Sequence, residues 1–187
     1  MAESKITQGQ PESSWLLLVY RVPSEPTRLR ATVWRRLKAL GAVYLQNAAA
    51  ALPRDAVAER ALRKLQHDIQ EMNGTAVLLD ASALAGEASI LALFQTARSD
   101  EYTEILDRCE GFLAEVAKEY DKQHFSYAEL EENEVDYTKL VNWLDKVKAR
   151  DRFNAPGRAE AEAAVAKCEQ VLEEYAARVY AEEGEGH

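Results

Sequence analysis

The stretch Trp15-Leu16-Leu17-Leu18-Val19-Tyr20 is an unbroken apolar run of the length of one β-strand. A run of this kind predicts a strand that is covered on both faces, as a central strand of a sheet is. Pro23 follows the run and marks a turn, because proline cannot donate a hydrogen bond to a neighbouring strand. The fold is therefore expected to be organised around residues 15–20.

A helix is predicted next along the chain. It should begin near Pro26, with Ser24 or Glu25 as its cap, and end before Gly41, because glycine is common just past the last helical residue. Its apolar residues recur at helical spacing and share one stripe. They are Leu29, Val33, Leu37 and Leu40.

The next forty residues repeat the alternation of strand and helix. Two short strands, 42–45 and 48–52, are predicted around a tight turn at Gln46-Asn47. A second helix should begin at Asp55 and end at Asn73-Gly74, and a last apolar strand follows it. The order β-α-β-β-α-β is the ferredoxin-like arrangement, in which both helices cover one face of a four-stranded sheet.

From Ala81 onward the apolar spacing is helical. Three amphipathic stripes are predicted, from Tyr102 to Tyr120, from Leu130 to Val147 and from Ala161 to Val179, and Pro156-Gly157 separates the last two. Such spacing fits helices that pack in an antiparallel bundle. The fold class predicted is α+β, with a ferredoxin-like βαββαβ amino-terminal half followed by an all-helical carboxy-terminal extension.

Four segments are predicted: a disordered leader at 1–14, a ferredoxin-like subdomain at 15–80, a helical subdomain at 81–182 and a disordered tail at 183–187. The leader lacks the basic and apolar regions of a signal peptide. No apolar run approaches the roughly 20 residues that cross a bilayer. Cys109 and Cys168 are far apart and lie within helical patterns, which favours buried thiols in a reducing compartment. We therefore expect a cytoplasmic protein with no membrane partner.

Charge is distributed unevenly along the 187 residues. Residues 1–80 contain 11 Lys and Arg against 8 Asp and Glu, a net charge of +3. Residues 81–187 contain 12 against 24, a net charge of −12, and the whole chain carries −9. This asymmetry predicts two regions that face different partners, or that face each other.

The basic charges cluster on and beside the first predicted helix, where only Glu25 opposes them. They are Arg21, Arg28, Arg30, Arg35, Arg36 and Lys38. At about 100° per residue, Arg28, Arg35 and Lys38 share the face opposite the apolar stripe. All six are candidate DNA contacts, because a basic face can neutralise phosphates. Two other interpretations remain open: a solvated outer face, and a dock for the acidic second half of the same molecule.

Four stretches of the chain form a recognisable set. They are Trp15 to Val19 with Leu29-Arg30 and Val33 to Ala42, then Arg98 to Tyr102, then Phe125 to Glu134, then Arg150 to Phe153. In this order they resemble the amino-terminal domain of ChrB-type regulators of chromate resistance. The resemblance extends over roughly residues 14–182, which is nearly the whole chain.

The resemblance implies a transcriptional regulator that binds DNA and responds to an oxyanion such as chromate. In that family the domain usually precedes a second domain, which finds no counterpart in these 187 residues. The alternative function is a resistance or stress module that binds an oxyanion or a protein partner without binding DNA. A homodimer is expected in the regulator hypothesis.

A second arginine cluster is the candidate oxyanion site, and it comprises Arg150, Arg152 and Arg158. Guanidinium forks suit tetrahedral oxyanions. Charge compensation at the basic end of a helix explains the same residues equally well.

The chain is also distantly similar to the small CRISPR-associated ferredoxin-fold nucleases and to PaaX-type repressors. Those nucleases carry an aspartate at the end of the first strand, where it holds a metal ion. Arg21 stands at that place here, and a cation repels the metal that a carboxylate would bind. We therefore expect no enzyme activity and no catalytic residue.

No metal site or cofactor is expected either. The acidic run from Glu129 to Asp136 precedes a helix predicted at 137–150, where the helix dipole favours negative charge. Several aromatic side chains, Trp34 among them, lie on or beside amphipathic stripes and are assigned to core packing.

Overall fold

The computed structural model describes residues 14–184, with side chains up to Glu182. The chain forms two compact units, and the division between them falls between Phe94 and Gln95. The predicted leader lies outside the described residues apart from Ser14, which opens the first strand. The predicted tail also lies outside them, apart from the backbone of residues 183 and 184 at the end of the last helix.

The first unit is an α+β structure with elements in the order β-α-β-β-α-β. They are β1 (Ser14–Arg21), α1 (Arg28–Leu40), β2 (Val43–Gln46), β3 (Ala49–Pro53), α2 (Ala56–Glu71) and β4 (Thr75–Ser82). The four strands form one sheet in the order β2-β3-β1-β4, and all neighbouring strands are antiparallel. The apolar run that begins at Trp15 is thus an inner strand, as predicted.

Both helices pack against one face of this sheet. Val33 and Leu37 of α1 are fully buried. They share a core with alternate residues of β1, β3 and β4 and with the apolar stripe of α2. The buried members are Leu16, Leu18, Val33, Leu37, Ala50, Leu52, Ala58, Leu62, Leu65, Ile69 and Ala76. On the other face of the sheet, the ring of Trp15 stacks on Phe94 with centroids 5.6 Å apart.

Two predicted helix ends are confirmed by their backbone geometry. Gly41 follows α1 in the left-handed region, with φ of 81°, which a residue without a Cβ adopts at little cost. The Asp55 side chain caps α2 by accepting from the backbone N–H of Val57 and Ala58, at 2.8 and 2.7 Å. The predicted cap of α1 is wrong. That helix begins at Arg28 without a side-chain cap, because the N–H of Leu29 closes a turn on the carbonyl of Pro26 before regular helix starts.

Gly74 joins α2 to β4 at a point where no side chain fits. A Cβ added there would lie 2.6 Å from the carbonyl oxygen of Arg21 and 2.7 Å from Cγ2 of Ile69. Real Cβ atoms do not approach backbone oxygen so closely. This close approach brings the end of β1 and the start of β4 into register, where Arg21 pairs with Thr75.

The rest of the chain is helical, as predicted. It contains α3 (Glu87–Asp121), α4 (Tyr127–Arg150) and α5 (Arg158–Gly184). Residues of all three helices beyond Gln95 bury their apolar stripes in one core. The buried members are Tyr102, Ile105, Cys109, Phe112, Val116, Leu130, Leu140, Leu144, Val147, Ala155, Ala161, Val165, Cys168, Leu172, Tyr175 and Val179. In the described part of the chain, no helix is both long enough and apolar enough to cross a membrane.

The predicted start of α4 is wrong by ten residues. Its cap is Ser126, whose Oγ accepts from the N–H of Glu129 at 3.4 Å. The whole acidic run therefore lies inside the helix, and only Glu129 belongs to its first turn. The helix also continues through Asn133, and this residue is buried. Helix α4 can start early because its apolar residues reach the core from Leu130 onward.

Candidate nucleic-acid interface

Helix α1 presents its basic face to solvent because its apolar stripe is occupied by the sheet. Val33 and Leu37 are fully buried, so residues about half a turn away point outward. Arg28, Arg35 and Lys38 lie on this outer face, and all three are exposed. The structure places them as the sequence predicts.

Five of the six predicted DNA contacts are exposed and one is occupied within the fold. Among the described residues, no carboxylate forms a salt bridge with Arg21, Arg28, Arg30, Arg35 or Lys38. Arg36 instead pairs with Asp68 of α2, and both side chains are partly shielded, with exposed fractions of 35% and 21%. Arg36 therefore joins the two helices, and it is the least accessible of the six cations.

A cleft opens on the flank of α1 that faces away from α2. Arg30, Trp34 and Lys38 follow one another at intervals of four residues, which places them in one row along the helix. The cleft encloses about 670 Å³. It is lined by Tyr20, Arg21, Val22, Arg30, Trp34, Tyr44, Asn47 and Ala48. No acidic residue is among these lining residues, and the charged ones are Arg21 and Arg30.

The aromatic side chains of the cleft are held in a defined arrangement. The hydroxyls of Tyr20 and Tyr44 are hydrogen-bonded at 2.9 Å. Burial raises the pKa of Tyr44, and the hydrogen bond to Tyr20 raises it further, so this phenol is neutral at physiological pH. Trp34 is 49% exposed, and Lys38 Nζ lies 5.4 Å from the centroid of its ring. The assignment of Trp34 to core packing is therefore wrong.

In the second unit, Arg150 and Arg158 of the predicted oxyanion site contact carboxylates. Arg150 donates to Oε1 of Glu101 at 2.8 Å, and Arg158 contacts Glu162 at 3.3 Å and Asp151 at 3.8 Å. Arg152 is exposed. The guanidinium groups of Arg150 and Arg158 are thus already paired with carboxylates.

The Arg150 pair belongs to a buried ionic cluster that includes Arg98. The Nε atom of Arg98 lies 2.8 Å from Oε2 of Glu101, an ionic contact that lacks hydrogen-bond geometry. Burial lowers the pKa of Arg98, and the Glu101 carboxylate opposes that change. Next to the cluster, the Tyr102 hydroxyl donates to the Asp151 carboxylate at 3.0 Å. Residues 98–102 and 150–153 are therefore in direct contact.

A third polar cluster joins the end of α3 to the start of α4. The buried carboxylate of Glu119 accepts from Nζ of Lys122 at 2.8 Å and lies 2.9 Å from Nδ1 of His124. Glu129 lies 3.8 Å from the same nitrogen. Tyr175 fixes the loop by donating to the carbonyl of His124 at 2.9 Å. These contacts link the end of α3, the following loop and the first turn of α4.

Comparison with known proteins identifies the family. The family model described as "Protein ChrB, N-terminal" matches residues 30–186, which is more than four fifths of the chain. The chain belongs to the ChrB amino-terminal family. A ChrB protein of Cupriavidus metallidurans is 30% identical over 164 residues, which cover 80% of this chain and 50% of that protein. The chain thus spans about half the length of the curated ChrB relative that it matches.

The ChrB match includes α1 from Arg30 onward and the three helices that follow the sheet. Sequence reasoning found the cations of α1 in this ChrB chain but missed two features of the surface. The spacing of Arg30, Trp34 and Lys38 is visible in the sequence and could have revealed the row beside the cleft. Arg36 and Asp68 are far apart in the chain, so no local sequence pattern predicts their salt bridge.

Proposed function

We propose that this ChrB-family chain is a DNA-binding regulator of chromate resistance that docks on the phosphate backbone through α1. One observation carries the proposal: the exposed cations of α1 and its flank have no carboxylate partner among the described residues. Unpaired arginines on a helix face are available to replace condensed counterions on a duplex. The net charge of −9 resides mainly in residues 81–187, so it does not cancel this local basic surface.

The element order and the strand order β2-β3-β1-β4 support assignment of the first unit to the ferredoxin-like folds. In this assignment α1 lies on the outer surface of a rigid sheet. A rigid support favours a fixed docking register on DNA, since phosphate contacts position a protein on the duplex. Sequence discrimination would then come from other side chains beside the helix.

Fluorescence anisotropy with labelled duplex from upstream of the gene tests the proposal. The full chain is titrated at two salt concentrations, beside a scrambled duplex of equal length. The variant Arg28→Ala/Arg35→Ala should bind more weakly, with a salt slope lower by about two, because each lost phosphate contact lowers the slope by about one. Absence of duplex binding at low salt would overturn the proposal.

A matched control is available on α2. Arg60 and Lys64 are exposed cations of the same unit, so Arg60→Ala/Lys64→Ala removes the same charge from a different face. This variant should retain the affinity and salt slope of the parent chain. An equal loss in both variants would indicate a general charge effect instead of docking through α1.

The resemblance also implies an oxyanion response, and we propose it for this chain. Arg150 and Arg158 are paired with Glu101 and Glu162, so an oxyanion has to displace a carboxylate to reach them. Repeating the anisotropy titration with chromate, and with sulfate as a control of similar charge and shape, tests this response. A DNA affinity that does not change with chromate would remove the oxyanion from the proposed function of this chain.

A further inference from the structure

We propose that the cleft beside α1 is a nucleotide-binding site, in which Trp34 stacks on an unpaired base and Arg21 and Arg30 hold its phosphate. This inference rests on the proposed function and names a second mode of contact with nucleic acid. The outer face of α1 meets the backbone of a duplex, whereas the cleft takes a base that is free of its neighbours.

The exposure of Trp34 is the first argument. Trp34 is 49% exposed, whereas Trp15 of the same unit is 3% exposed. An indole so exposed on a helix gains by covering its ring with another flat apolar surface. Nucleobases provide such a surface, and stacking on aromatic side chains is the usual way in which proteins bind single strands.

The charge of the cleft is the second argument. Two arginines line it, no carboxylate does, and Lys38 lies against the Trp34 ring. A ligand for this site therefore combines an anionic group with an aromatic ring. Nucleotides have this combination, because every base is joined through its sugar to a phosphate.

Asn47 and the tyrosine pair provide the third argument. The Asn47 side chain is exposed at the tip of the hairpin between β2 and β3, and its amide has both donors and an acceptor for a base edge. The Tyr20 and Tyr44 hydroxyls, bonded to each other at 2.9 Å, form a polar wall. The cleft thus contains a stacking surface, an edge-reading amide and phosphate ligands.

The stacking geometry decides between paired and unpaired bases. Within a duplex each base is covered above and below by its neighbours, so an aromatic ring cannot reach its face. An unpaired base is accessible in a single strand, in an opened duplex or in a free nucleotide. These ligands share one base with an adjacent phosphate, and binding experiments with different probes distinguish a strand from a free nucleotide.

The test uses three probes with the full chain: a twelve-nucleotide oligothymidylate, an abasic phosphodiester of the same length and charge, and thymidine monophosphate. Oligothymidylate should quench tryptophan fluorescence and bind about tenfold more tightly than the abasic strand, the range expected for base–aromatic stacking. Equal affinity for the two strands would overturn the inference. Tight binding of the monophosphate with no added gain from the strand would identify a free nucleotide as the ligand.

Substitution of Trp34 gives the second readout. Trp34→Ala should lower the affinity for oligothymidylate about tenfold, to that of the abasic strand, and leave abasic binding unchanged. Trp34→Phe retains a ring and should restore part of the difference. Because Trp34 is exposed, both variants should fold, which far-UV circular dichroism verifies. An equal loss toward both strands would overturn the stacking role.

These results separate the inference from the proposed function. One outcome is duplex binding that depends on Arg28 and Arg35, with equal affinity for oligothymidylate and the abasic strand. It would support the proposed DNA-binding function and exclude the nucleotide site. The other outcome is tighter binding of oligothymidylate than of the abasic strand, with no duplex binding. It would support the nucleotide site and exclude the regulator hypothesis.

Discussion

Arg150, the last residue of α4, donates from Nη2 to Oε1 of Glu101 on α3 at 2.8 Å. The same carboxylate contacts Arg98, so one acid holds two guanidinium groups in the second unit. The side-chain exposed fractions are 16% for Arg150, 10% for Glu101 and 5% for Arg98. Because charges this far from water need partners, Glu101 is the residue on which the cluster depends.

Replacing Glu101 by Gln should therefore destabilise the second unit strongly. The substitution keeps the shape of the side chain but removes the carboxylate that both buried guanidinium groups contact. Loss of one member of a buried ion pair typically costs about 3–5 kcal/mol in the free energy of unfolding. Urea unfolding followed by circular dichroism at 222 nm measures the change.

Lys139 provides a control on the surface of α4. It pairs with Asp136, and the side chains are 71% and 55% exposed. Lys139→Ala should change the free energy of unfolding by less than about 1 kcal/mol. A Glu101 variant as stable as this control would show that the cluster contributes little.

Release of Arg36 should strengthen DNA binding if α1 is the docking helix. Asp68→Ala removes the partner that holds the Arg36 guanidinium within the fold. The freed cation adds to the exposed cations of α1, so the salt slope of duplex binding should rise by about one. Anisotropy titration at two salt concentrations measures the slope.

Arg36→Ala completes this comparison. It should weaken duplex binding less than Arg35→Ala, because Arg36 is paired with Asp68 and Arg35 is exposed. The opposite order would contradict the arrangement of cations on α1.

Much of the first unit could be predicted from local patterns. The apolar run at Trp15, the cap at Asp55 and the glycine at Gly41 each act through their immediate neighbours, so the sequence contains the signal. The predicted strands and helices of this unit agree with the structure to within a few residues. The three helical stripes were predictable for the same reason, since burial follows the helical period.

Two of the errors arose where distant residues decide the structure, whereas the start of α4 has a local signal in its Ser126 cap. The acidic run before Tyr137 was assigned to the region ahead of a helix, but Ser126 starts α4 earlier and the core holds Leu130. Trp34 lies beside the apolar stripe, and the sequence does not show that the sheet leaves this flank of α1 uncovered. Pairing of Arg36 with Asp68 likewise depends on how α1 and α2 come together.

Glu119 should give the fold a dependence on acid pH. Its pKa is lowered, first by the hydrogen bond from Lys122 and then by that with His124. A carboxylate whose pKa is lower in the folded than in the unfolded state stabilises the fold at pH values above its unfolded pKa, near 4.3. This stabilisation is lost as the pH falls through the pKa of the folded state. The urea midpoints of the parent chain and Glu119→Gln should therefore differ at neutral pH and converge in acid.

A matched acid on the same helix controls for general charge effects. Glu115 pairs with Lys118, and both side chains are more than half exposed. Glu115→Gln should leave the parent's acid dependence in place. A midpoint difference for Glu119→Gln that persists in acid would exclude its ionisation as the cause.

The two cysteines should be unreactive in the folded chain. Both are buried, and the Sγ of Cys168 contacts the carbonyl oxygen of Cys109 at 3.8 Å. Burial, followed by the proximity of Cys109, raises the pKa of Cys168 to about 12, and burial raises that of Cys109. Because the thiolate is the reactive form, Ellman's reagent at mildly alkaline pH should label neither thiol in native buffer and both in urea.

An exposed thiol introduced by Ser89→Cys provides the positive control. Rapid labelling of Cys109 or Cys168 in native buffer would contradict the packing between α3 and α5.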